Sequence, residues 1–111
     1  MSSDVKTHVK DWLRKSIAVG VFNAIHVQKM NCTTQTEFSD IVKGVTSNIT
    51  QVEFDDGIIP MTYSDFEAES LSSGDITKEQ LDAIKKGTHR LVLVGGDTDA
   101  RSPATIETEV I

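Results

Sequence analysis

The amino-acid sequence predicts a small α+β domain, with about three helices packed on a mostly antiparallel sheet of about five strands. The spacing of apolar residues carries this prediction, because it changes along the chain between the helical period of 3.6 and the strand period of two. The apolar segments are short, are separated by turn residues and fit within 111 residues, an ordinary length for one domain. We therefore expect residues 1–111 to form a single α+β domain.

The first predicted helix covers residues 4–17. Its apolar residues recur at helical spacing and define one buried face: Val5, Val9, Trp12, Leu13 and Ile17. Trp12 is the largest of them, so we expect it to anchor the helix in the core. The opposite side carries basic residues at intervals of four, which either face solvent or contact an acidic neighbour: Lys6, Lys10 and Arg14. These three residues are the first part of a candidate partner-binding surface.

Residues 18–30 are predicted as the first strand. Their apolar residues suggest a period of two, and an interruption near Asn23 is interpreted as a β-bulge. The helical period returns at Thr34, which has the spacing of a capping box with Glu37. The apolar residues that follow form one face of a predicted second helix: Phe38, Ile41, Val42, Val45 and Ile49.

Residues 50–63 carry the clearest hairpin pattern in the sequence. Apolar and polar residues alternate before Asp56-Gly57, a pair that favours a tight turn. Pro60 follows the turn and has no backbone N–H to give to a neighbouring strand. We therefore expect the second strand, which ends at Tyr63, to lie at an exposed sheet edge. This edge supplies the second part of the candidate partner-binding surface: Ile58, Pro60 and Tyr63.

The remaining sequence predicts an acidic, serine-rich loop over residues 64–75, a third helix and two more strands. The helix begins with a capping box formed by Thr77 and Gln80 and ends at Gly87. Residues 90–96 are apolar on both sides of the pleat, which is typical of a central strand buried on both faces. Residues 104–111 alternate and predict a last strand.

The net charge of −6 is distributed unevenly along the chain. Residues 1–36 have five basic and two acidic residues, whereas residues 37–82 have two basic and eleven acidic residues. Residues 83–111 are balanced. This contrast predicts protein partners, either copies of the chain or other subunits of an assembly. General nucleic-acid binding is not expected, because it requires clustered basic residues.

No set of residues has the spacing of a catalytic or metal site. Cys32 and His26 could act as nucleophile and base, but no third residue is placed to orient them. The three histidines fall on separate elements without the spacing of metal ligands. The segment Gly95-Gly96-Asp97 could present backbone amides to a phosphate, but we interpret it as a turn between strands. We expect no enzyme activity, cofactor, metal or small-molecule substrate.

Localisation and function are predicted from what the sequence lacks. No apolar run reaches the roughly 20 residues of a membrane span, and the charged N-terminal segment does not resemble a signal peptide. We expect a cytoplasmic protein, or one in a virus particle assembled in the cytoplasm. The favoured function is a structural or adaptor subunit of an assembly, in its most concrete form a small phage-particle protein. The alternatives are an acidic inhibitor that binds one host protein and, less favoured, a compact enzyme.

Overall fold

The computed structural model describes residues 2–47, 61–95 and 104–111, and for residues 2–10 it describes the backbone alone. These ranges form helices α1 (Ser2–Phe22), α2 (Gln35–Thr46), α3 (Tyr63–Ser72) and α4 (Lys78–Lys86), and strands β1 (His89–Val94) and β2 (Thr105–Val110). A π-helical turn, Asn23–Val27, directly follows α1. The prediction of three helices on a five-stranded sheet is therefore wrong, because the described part contains four α-helices and a two-stranded antiparallel sheet. The fold is still a small α+β-like arrangement.

Residues 18–27 of the first strand predicted at 18–30 belong to α1 and to the π-helical turn, and residues 28–30 form no strand either. Val21 and Phe22 are fully buried, as are Ile17 one turn and Leu13 two turns before them. This spacing is helical, and the β-branched residues of the segment gain more from packing on one helix face than their strand preference costs. Helix α1 thus confirms the helix predicted at 4–17 and extends it. Trp12 is only partly buried, so the core anchors of this helix are its neighbours.

Helix α1 approaches α2 closely at Gly20. A Cβ atom on Gly20 would lie 2.6 Å from Cγ1 of Val45, well inside van der Waals contact. Gly44 lies in the same region of α2, but a Cβ atom there would meet no atom within 4 Å. The two helices therefore need glycine at position 20 and tolerate a side chain at position 44.

This difference predicts opposite effects of the same substitution. Gly20→Ala should lower the free energy of unfolding by about 1–2 kcal/mol, because overpacking against Val45 exceeds the gain in helix propensity. Gly44→Ala should raise it by about 0.5–1 kcal/mol, since alanine is the better helix former and no clash opposes it. Urea denaturation of both variants checks the signs. A stabilised Gly20→Ala variant would show that the helices are not in contact there.

Two of the predicted helices are confirmed together with their capping boxes. Thr34 accepts from the backbone N–H of Glu37, whose side chain in turn accepts from the backbone of Thr34, and the N-terminus of α4 repeats this arrangement with Thr77 and Gln80. Helix α4 ends at Gly87 in the left-handed conformation, with a φ of 80°. These short-range patterns were readable from sequence because each involves residues only three positions apart.

The acidic loop predicted at 64–75 is wrong, because most of it forms helix α3. Thr62 caps this helix by accepting from the backbone N–H of Asp65. Phe66 and Ser70 are buried on its inner side, whereas most of the other residues of the helix are at least partly exposed. The many serines and acids thus form a solvent-facing surface of a helix. Of the hairpin predicted at 50–63, residues 50–60, including Ile58 and Pro60, lie outside the described residues, and Tyr63 begins α3 instead of ending a strand.

Strands β1 and β2 pair with Leu91 opposite Thr108 and Val92 opposite Glu107. The final predicted strand is confirmed, but β1 is not a central strand buried on both faces. Leu91 is buried, whereas Val94 is 42% exposed. Helices α1 and α4 pack on one side of the sheet, and in the described part of the chain no layer covers its other side.

Candidate functional site

Two places in the fold combine polar chemistry with exposure, and the first is an aromatic cluster around His26. The ring of His26 stacks on Phe22, with ring centres 6.4 Å apart. Its Nε2 atom is hydrogen-bonded to the hydroxyl of Tyr63, the first residue of α3. Phe66 packs against Phe22 with ring centres 5.1 Å apart, and Phe38 closes the cluster. The cluster joins α1, α2 and α3 through their aromatic side chains.

Burial sets the protonation of this pair. It lowers the pKa of His26, and the nearby Lys85 ammonium lowers it further, while Glu67 opposes the shift. Burial also raises the pKa of Tyr63, with Glu67 adding to the effect. Both groups are therefore held in their neutral forms at neutral pH, as expected for a hydrogen bond that supports packing.

The lowered pKa of His26 predicts a loss of stability on acidification. The unfolded chain takes up a proton near pH 6.5, whereas the folded chain resists it, so stability is complete above that pH and falls as the pH drops towards the folded pKa. His26→Gln keeps an acceptor for Tyr63 but does not titrate in this range. Urea unfolding from pH 7.5 to 5 should show a steeper loss for the natural chain than for His26→Gln. Parallel curves would contradict the assignment.

Cys32, which the sequence did not favour as a nucleophile, is not coupled to His26 by any hydrogen bond in the described structure. Cys32 lines a cleft of about 110 Å³ together with Tyr63 and the N-terminal residues of α2 and α3. Burial raises the pKa of the Cys32 thiol, and Glu37 raises it further. A nucleophilic cysteine needs the opposite shift. Among residues 2–47, 61–95 and 104–111, no three side chains of the metal-ligating types are grouped around one point.

The second place is the sheet, where the Asn23 side chain binds the outer edge of β1 at Leu91. The Asn23 side chain donates to the carbonyl of Leu91 and accepts from the Leu91 N–H, both at 2.9 Å. The backbone groups of Leu91 therefore point away from β2, so its pairing with Thr108 is one without direct hydrogen bonds. It follows that the N–H and C=O of Thr108 also point outward, on the far side of β2. Because these orientations alternate along a strand, the backbone N–H and C=O groups of Ile106 and Val110 point outward as well.

The outer edge of β2 is only partly covered. Lys15 Nζ donates to the carbonyl of Ala104 at 2.8 Å, and Gln80 Nε2 donates to the carbonyl of Ile106 at 2.7 Å. Beyond these points, the backbone groups of Thr108 and Val110 receive no bond at this edge from the described residues. We call the outward-pointing backbone of Thr108 and Val110 the open β2 edge.

Charged and apolar side chains surround the open β2 edge. Glu107 and Glu109 alternate with its two residues and lie exposed on the other face of the strand. Glu109 pairs with Arg90 of β1, the Nε–Oε1 distance being 2.9 Å, whereas Glu107 has no ion pair within the described part of the chain. Val110 is 72% exposed and Ile111 is 65% exposed. The edge thus combines unpaired backbone groups, negative charge and exposed apolar surface.

Of the residues predicted to bind a partner, the structure describes the side chains of Arg14 and Tyr63. Lys6 and Lys10 lie on α1, where the backbone alone is described. Arg14 makes a two-point contact with Asp75, a carboxylate only 6% exposed, with Nε–Oδ2 and Nη2–Oδ1 distances of 2.9 and 3.0 Å. Tyr63 belongs to a helix and to the aromatic cluster, so the strand edge predicted around it is wrong. The partner-binding role of these residues, and of Ile58 and Pro60, stays a prediction.

The residues that bind the sheet edges could not be found from the sequence. Asn23 and Gln80 act through contacts 68 and 26 positions away in the chain, and no local pattern indicates such contacts.

At the predicted Gly95-Gly96-Asp97 turn, Gly95 has the left-handed φ of 72° and the next two residues lie outside the described ranges. No helix in the described ranges is both long and apolar enough to span a membrane. No protein-family model, curated protein or solved structure matches the chain.

Proposed function

We propose that this chain is a non-enzymatic structural or adaptor subunit of a larger protein assembly and that it contacts its neighbour through the open β2 edge. The observation that supports the proposal is the outward-pointing backbone of Thr108 and Val110, which receives no hydrogen bond at this edge from residues 2–47, 61–95 and 104–111 and lies at a strongly exposed end of the sheet. An edge of this kind is completed when an extended segment of another chain pairs with it.

The neighbouring contacts favour a built edge over a frayed strand end. The β1–β2 pairing continues past Val110, because the N–H of Ile111 donates to the carbonyl of Thr88 at 3.2 Å. The Arg90–Glu109 ion pair holds the same end of the hairpin from its exposed face. The strand is therefore ordered up to the point where a neighbour would pair with it, which lowers the entropy lost on binding.

The chemistry of the aromatic cluster favours a binding function over catalysis. His26 and Tyr63 are neutral partners in a packed contact, and the Cys32 thiol is held protonated. A phage-particle subunit and an inhibitor of one host protein would both use the open β2 edge. They differ in stoichiometry, because a particle subunit is present in many copies and an inhibitor binds one partner at a time.

Proline substitutions at the edge test the proposal. Thr108→Pro and Val110→Pro each remove an outward N–H without removing a hydrogen bond between β1 and β2. Thr108→Ala and Val110→Ala are the matched controls, because they shorten the same side chains and keep the N–H. Circular dichroism and thermal unfolding identify the variants that remain folded.

The readout is sedimentation of the native complex from the source cells. We expect the folded proline variants to leave the large species and the alanine variants to stay in it. The mass of the complex formed by the natural chain separates the particle subunit from the inhibitor. Folded proline variants that still sediment with the complex would contradict docking through this edge.

A further inference from the structure

We propose that the segment that pairs with the open β2 edge is a heterologous extended strand with basic residues at alternate positions, opposite Glu107 and Glu109. This inference rests on the proposed function and adds the chemistry of the partner. It starts from the pleat of β2. Side chains alternate between the two faces, so Glu107 and Glu109 project on the exposed face while Thr108, between them, projects on the face of the buried Ile106.

A partner strand must follow the same alternation. The residue that faces Thr108 lies between the residues that face Glu107 and Glu109, so those two are separated by one position and share the exposed face. Opposite charges across neighbouring strands stabilise the pair and like charges destabilise it. The partner therefore has a basic–X–basic pattern. X projects on the face that carries Val110, whose exposed side chain favours an apolar or β-branched neighbour there.

The two acidic positions are not equivalent. Glu109 already accepts from Arg90, which neutralises part of its charge. Glu107 lies opposite Val92 in the β1–β2 pairing and forms no ion pair with the described side chains, since Arg90, diagonal to it on the same face, is bonded to Glu109. A basic residue of the partner therefore forms its more favourable charge interaction opposite Glu107, so Glu107 should contribute most to the choice between partners.

The same charges disfavour a second copy of β2 as the occupant. Two copies that pair antiparallel along both glutamates of the edge place the two-fold axis at Glu107, Thr108 or Glu109. An axis at either glutamate places that residue opposite itself, and an axis at Thr108 places Glu107 opposite Glu109. Each arrangement sets carboxylates directly across from one another, which is unfavourable. The charge pattern thus selects a different, basic strand and opposes self-pairing.

The test uses two short peptides and the full chain. The first peptide alternates two lysines with valines, and the second has glutamates in place of the lysines. At about 50 mM salt, where the Debye length is longer than under physiological conditions, we expect the lysine peptide to bind about tenfold more tightly. Amide chemical shifts should change at Thr108 and Val110. The preference should shrink as salt is added.

Charge variants then identify the residue responsible. Glu107→Lys should reverse the preference between the peptides. Asp40→Lys, at an exposed position on α2, changes the net charge equally and should leave the preference intact. Equal binding of both peptides, absence of binding, or self-association of the chain through β2 would each overturn the inference. The proline variants in the native complex test the proposed function separately, because they remove an N–H that any strand would use.

Discussion

Replacing Phe22 with alanine is expected to lower the free energy of unfolding by about 3–5 kcal/mol, the largest loss we expect from a single substitution. Phe22 is fully buried at the end of α1 and contacts the rings of His26, Tyr63 and Phe66. Removing the ring leaves a cavity between α1 and α3, and no new contact replaces the packing that is lost. Domains of this size are stable by only about 5–15 kcal/mol in total, so the variant should be close to unfolding.

Urea denaturation followed by circular dichroism measures this loss. Phe22→Leu is the matched control, because it keeps most of the buried apolar volume and should cost no more than about 1.5 kcal/mol. If Phe22→Ala is too unstable to purify folded while Phe22→Leu folds normally, the result agrees with the prediction. A loss below about 1 kcal/mol for the alanine variant would show that the aromatic cluster is not the packed centre described here.

Replacing Asn23 with alanine is expected to cost about 2–4 kcal/mol. The substitution removes two hydrogen bonds and leaves the N–H and C=O of Leu91, a residue only 1% exposed, without their partner. Each buried backbone group that loses its partner costs about 1–3 kcal/mol. The better helix propensity of alanine returns roughly 0.5 kcal/mol at this position and does not change the sign.

Gln28 supplies the control for Asn23. It lies at the end of the same π-helical turn but is exposed, and Gln28→Ala should change stability by less than about 0.5 kcal/mol. Amide hydrogen exchange at Leu91 should also become faster in Asn23→Ala. Equal stabilities of the two variants would contradict the role of Asn23 in closing the edge of β1.

The helix caps could be predicted from the sequence because their physics is local. Thr34 with Glu37 and Thr77 with Gln80 meet within one helical turn, and both pairs are found as predicted. Residues 18–30 could not be assigned correctly, because their β-branched residues have strand preference and the helix is selected by long-range packing against α2, α4 and β1. The segment from Tyr63 to Ser72 has too few apolar residues to show a helical pattern in the sequence. It forms a helix because burying Phe66 is enough to hold it against the core.

In the candidate site, too, the local features could be predicted and the long-range ones could not. The alternation of residues 104–111 predicted a strand, and that strand is present as β2. Whether its outer edge is open depends on which strands pair, and the predicted five-stranded sheet gave no reason to expect a free edge there. The contacts of Asn23, Lys15 and Gln80 define how much of the sheet edge is covered. Each of them is a long-range contact of a polar side chain with the backbone.

Amide hydrogen exchange in the free chain and in its native complex tests the central claim most directly. The N–H groups of Glu107 and Glu109 point towards β1 and should exchange slowly in both states. The N–H groups of Thr108 and Val110 point outward and should exchange fast in the free chain, then become at least tenfold slower in the complex, because a partner strand has bonded them. Exchange at Thr108 and Val110 that stays fast in the complex would contradict docking at the open β2 edge.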